Sequence, residues 1–144
     1  MSTARRLEEL LQTVPSRLAQ ISEAEASRVD VPGKWSKKEI LGHLIDSASN
    51  NHQRFVRAQI APVLEFPGYE QTSWVAVQGY AAESWSDLIG LWLALNRHLL
   101  HIIKLLPETS LTRPCAIGGS DAIPLSAVMS GYVDHLEHHL EQIR

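Results

Sequence analysis

The chain has 144 residues, a formal net charge of −3 and one cysteine, Cys115. That length suits a single domain, residues 1–144, whose core needs no disulfides. The lack of basic runs argues against nucleic acid as a partner, and the lone cysteine excludes an intramolecular disulfide and cysteine-rich zinc sites, so any metal must be held mainly by nitrogen and oxygen. Residues 1–9 are charged and lack the apolar core of a signal peptide, and no apolar run reads as bilayer-spanning; the expectation is a cytoplasmic protein without a membrane partner.

Leu7, Leu10, Leu11, Val14, Leu18 and Ile21 recur at helical spacing, with Pro15 predicted to kink or split the first helix. Pro32-Gly33 marks a loop. Ser36-Lys37-Lys38-Glu39 is a capping box that opens a second helix. Its apolar face runs from Ile40 through Phe55 to about Ala58, ahead of Pro62. Residues 61–82 form a long connection rich in aromatic side chains (Phe66, Tyr69, Trp74, Tyr80), expected to pack onto the body and to hold a short helix near residues 73–78. Ser84 caps a third amphipathic helix that carries Leu88, Trp92, Leu95, Leu99 and Ile103 and stops at Pro107. A second irregular stretch follows over residues 108–123. Pro124 or Ser126 then opens a fourth helix with Leu125, Val128, Tyr132, Leu136 and Ile143. The pattern predicts an all-α four-helix bundle with two longer connections.

Chemistry concentrates in the histidines. His135 and His139 are four residues apart, so a helix places both rings on one face, one turn apart. On a helical wheel His139 falls inside the apolar arc centred on Tyr132, His135 lies at its edge, and His138 turns to solvent. Two such imidazoles can hold a divalent ion but need a third ligand, for which His43 is the best candidate. His43 shares a polar stripe with Asp46, Ser47, Asn50 and Arg54. The plain reading of that stripe is a solvated face. The functional one is a cleft lining in which Asp46 or Asn50 orients an imidazole or a water, and Arg54 offers positive charge to an anionic substrate or thiolate. His52 points away from His43, and His98 and His101 read as a solvated face. Cys115 reads as structural. No phosphate loop, GxSxG turn or HExxH motif is present.

Residues 34–46, Lys-Trp-Ser-Lys-Lys-Glu-Ile-Leu-Gly-His-Leu-Ile-Asp, resemble the opening motif of the DinB/YfiT-like superfamily. Residues 50–55, Pro67-Gly68-Tyr69 and the ending from Tyr132 to Ile143 are similar to its later segments, so the resemblance spans nearly the whole chain. It implies a four-helix bundle with a three-histidine metal site at His43, His135 and His139. Members of that family are proposed metal-dependent hydrolases, or S-transferases using a low-molecular-weight thiol such as bacillithiol or mycothiol, and many form homodimers. Nickel or zinc is the implied metal, with manganese or iron as others. Three neutral imidazoles would leave an open position on the ion, which can activate a water or present a thiolate to a small-molecule substrate. Two rivals stand beside this enzyme: a non-catalytic metal- or small-molecule-binding bundle closed by a fourth ligand such as Asp46, and a dimerisation or interaction module built on the apolar connections.

Overall fold

The computed structural model describes residues Met1–Arg144. Six α-helices and three short strands follow in the order α1 (Thr3–Ala19), α2 (Glu23–Ser27), α3 (Lys37–Ile60), β1 (Leu64–Phe66), α4 (Gln71–Gln78), α5 (Trp85–Leu105), β2 (Pro114–Ile117), β3 (Ile123–Pro124) and α6 (Leu125–Leu140), with single 3-10 turns at Tyr80–Ala82 and Glu108–Ser110. The four long helices form a bundle in which α1 touches α5 and α6, and α3 touches the same two. A single buried cluster, with Leu7, Leu18, Leu44, Phe55, Trp92, Leu99 and Leu136 at its centre, joins all four.

The capping box forms as expected: the Ser36 hydroxyl accepts from Glu39 N–H while the Glu39 carboxylate accepts from Ser36 N–H. Two expectations are corrected. Pro15 does not split the first helix; α1 runs through it. A proline removes its own N–H from the ladder and crowds the preceding turn, but Leu7, Val14 and Leu18 bury one stripe on both sides of it, which holds the helix together. And α5 does have the length and composition to cross a bilayer. Here it lies against α1 and α3, with Trp85, Leu88, Trp92, Asn96, Leu99 and Ile103 buried on one face.

The two long connections are joined to each other. β1, from the first, pairs in parallel with β2, from the second, in the register Leu64↔Cys115 and Phe66↔Ile117. β3 adds antiparallel to β2. Gly118 N–H donates to the Phe66 carbonyl at 2.8 Å, and Gly118 adopts φ +62°, a conformation that favours glycine. This small sheet roofs one end of the groove between α3 and α6.

Candidate metal centre

His43 sits in the second turn of α3, just beyond the capping box that fixes where the helix begins. Its side chain is 1% exposed, with the Trp35 ring 5.1 Å away between centroids. Gly42 beside it has the Tyr80 ring pressed on its backbone; a Cβ there would lie 2.2 Å from Tyr80 Cδ2. On the neighbouring helix α6, His135 and His139 project toward His43. Two arginines of α1 hold α6 in place. Arg6 donates to Asp134 at 2.6 Å and Glu137 at 2.7 Å, and Arg17 donates to the carbonyls of Leu140, the last residue of α6, and of Ile143 just beyond it.

The three rings converge. His43 Nε2 and His135 Nε2 are 3.0 Å apart, and one ligand nitrogen from each of His43, His135 and His139 lies within 4.8 Å of the others. Zinc–imidazole bonds of about 2.0–2.1 Å put neighbouring nitrogens roughly 3.0–3.4 Å apart, so the His43–His135 pair already has chelating spacing. Burial, then the neighbouring histidines, push His43 and His135 down to about 4. Both rings are therefore neutral near pH 7, the form in which imidazole ligates. His139 Nδ1 faces the Gln142 amide oxygen at 2.9 Å; with that nitrogen protonated and donating, Nε2 keeps its lone pair. The Nδ1 atoms of His43 and His135 are buried without a protein partner. The donor set, its spacing and the neutrality of His43 and His135 fit a divalent ion.

Asp46, one turn beyond His43, is buried but is not among the converging ligand atoms. Its Oδ1 accepts from the Tyr80 hydroxyl at 2.7 Å and from Gln78 Nε2 at 2.8 Å, tying the first connection to α3, and burial raises its carboxyl above the usual range. Asn50 is buried and donates to the Asp46 carbonyl within α3. Arg54 reaches a cavity of about 310 Å³ that opens beside the triad along the α3–α6 groove. Ser47, Asn51 and Arg54 from α3, Tyr69 from the connection, Val128, Tyr132 and His135 from α6, and Ile117 from β2 line it. Of these, Asn51, Tyr69, Tyr132 and Ile117 did not emerge from the sequence as site residues, nor did Gln142. The i,i+3 spacing of His139 and Gln142 was a usable signal, as was the i,i+4,i+7 run of Ser47, Asn51 and Arg54.

His138 is exposed, with its ring 5.0 Å from that of His139, while the other three histidines stay apart from this centre. His52 meets His98 at 5.1 Å between ring centroids, and His98 stacks on His101; His98 and His101 are exposed. Cys115 is fully buried on β2, and burial pushes its thiol up, which suits packing and not nucleophilic attack.

YfiT of Bacillus subtilis (strain 168), a proposed metal-dependent hydrolase, is 24% identical over 140 residues, covering 94% of this chain and 79% of its own. The YfiT structure, described as an unusual four-helix bundle topology, superposes with a TM-score of 0.78 at 20% identity over 95% of this chain and 81% of that one. A mycothiol-dependent maleylpyruvate isomerase superposes with a TM-score of 0.74 at 14% identity over 98% of this chain, which spans 60% of that longer protein. At such identities these structural likenesses establish a shared fold. The DinB superfamily profile matches residues 6–143; with nearly the whole sequence inside that match, this chain belongs to the DinB superfamily.

Proposed function

We propose that this chain is a metal-dependent enzyme of the DinB/YfiT type acting on a small molecule, with His43, His135 and His139 as the ligands of one divalent ion. The observation that carries the reading is the convergence of three imidazoles, two of them held neutral by burial, beside a cavity that His135 itself lines. Imidazole suits several transition metals, and nickel or zinc is the expected occupant. When bound, such an ion supplies Lewis acidity that makes a water or a thiol nucleophilic near neutral pH. The chain's own residues prepare the site. Burial keeps His43 and His135 unprotonated, the Gln142 amide oxygen is placed to accept from His139 Nδ1, and Trp35 covers His43. Tyr69, Ile117, Val128 and Tyr132 wall the cavity. Because no Asp46 oxygen is among the converging ligand atoms, Oδ1 accepting instead from Tyr80 and Gln78, an open position on the ion is favoured over closure by that carboxylate.

Hydrolysis is the leading chemistry, in keeping with the proposal made for YfiT. Thiol transfer is the second reading, supported by the likeness to a mycothiol-dependent enzyme. Nickel- or zinc-loaded protein, screened against ester, amide and electrophilic substrates with and without bacillithiol or mycothiol, separates the two. Product that forms without thiol identifies hydrolysis, and a thioether identifies transfer. Activity no greater than that of the His43→Ala variant in every arm overturns the enzymatic reading.

A further inference from the structure

Arg54 stands out among the charged residues of this chain. Its Nε is buried with no hydrogen-bond partner, and none of the chain's ion pairs includes it. Its guanidinium lies 5.4 Å from the centroid of the Phe66 ring, a contact that orients it without neutralising it. Burial lowers its pKa, and the Tyr69 phenol is the only ionisable neighbour that bears on it. A half-buried cation without a counter-ion is costly unless something completes it. The cavity that Arg54 lines is otherwise made of neutral polar groups and apolar walls, and its far end reaches His135. Ser47 and Arg54 are seven residues apart on α3, about 10 Å of axial rise, so the two ends of the cavity can be occupied by different parts of one molecule.

We propose that Arg54 is the anchor for a substrate carboxylate: the cavity takes a small organic acid whose carboxylate pairs with the guanidinium, whose apolar body lies against Ile117, Val128 and Tyr132, and whose other end is presented to His135. The proposal rests on the metal-enzyme reading for the meaning of that last contact, but not for the binding itself. A planar fork of N–H donors matches a carboxylate in two-point geometry. It makes Arg54 a binding residue for substrate and sets the substrate class: acids, in preference to the corresponding amides or alcohols.

The test is binding of 4-phenylbutyrate to the full-length protein by NMR, read at the Arg54 Nε–Hε resonance and by titration. The comparison ligands are 4-phenylbutanamide and phenyl phosphate. We expect the acid to shift the Arg54 signal and to bind about ten- to hundredfold more tightly than the amide. Arg54→Gln should abolish that preference, Arg54→Lys should restore part of it, and both variants should keep their metal content. His43 does not line the cavity, so His43→Ala separates the two claims: metal loss there reports on the triad, and acid affinity there reports on Arg54. Equal affinity for acid and amide overturns the proposal. So does tighter binding of phenyl phosphate, or acid affinity that survives Arg54→Gln but disappears in His43→Ala, which would place the acid on the metal. Should Arg54→Gln fail to fold, the acid-to-amide ratio on the wild-type protein decides alone.

Discussion

At the scale of single residues, the site depends on keeping imidazoles neutral inside a protein. Free histidine titrates near 6.5, and burial moves His43 and His135 down to about 4. The sign follows from linkage. Between pH 6.5 and 4 the unfolded chain binds more protons than the folded one, so the stabilising contribution is present above 6.5 and is lost as pH falls through that window. Chelator-treated protein should therefore lose up to about 5 kcal/mol from these two residues between pH 7 and pH 4. Denaturant midpoints at the two pH values, compared with those of a His43→Gln variant, check this. A wild-type loss no larger than the variant's would contradict it. Gln142 acts at the same scale. If its amide oxygen fixes the His139 tautomer, Gln142→Ala should weaken metal binding about tenfold in a chelator competition, with helix content unchanged.

Among the elements, α3 does the most to build the site, because its start, its glycine and its polar stripe are set by one segment. Gly42→Ala would drive a methyl into the Tyr80 ring and should destabilise the protein by about 1–3 kcal/mol, seen as a lower thermal midpoint. Ser36→Ala removes the cap and should cost about 1 kcal/mol. The long helices were legible in sequence because their signals are local: a capping box, apolar residues at i, i+3 and i+4, and prolines at the ends. The His135–His139 pair was legible for the same reason. The sheet was not. Its strands are two to four residues long and include Pro114 and Pro124, Gly118 follows β2 directly, and β1 pairs with a partner 51 residues away. No periodicity survives in segments so short. The capture of Asp46 by Tyr80 and Gln78 was hidden likewise, since nothing near Asp46 announces a partner more than 30 residues downstream.

Across the whole molecule, function depends on α3 and α6 being neighbours, so that the early His43 meets the late His135 and His139. Arg6 and Arg17 bind α1 to α6, and the sheet ties the two connections over the other end of the groove. The bundle therefore holds the triad from outside. Most of the buried apolar cluster lies elsewhere, so metal removal should lower the thermal midpoint only modestly, whereas a site serving mainly to hold the fold together would give a large drop. Metal content tests the central claim most directly. Elemental analysis of untreated wild-type protein and of folded His43→Ala, His135→Ala and His139→Ala variants should find one divalent transition-metal ion per wild-type chain and little or none in the variants. Wild-type protein that takes up no ion even when supplied with nickel or zinc, or variants that retain the full complement, would contradict it.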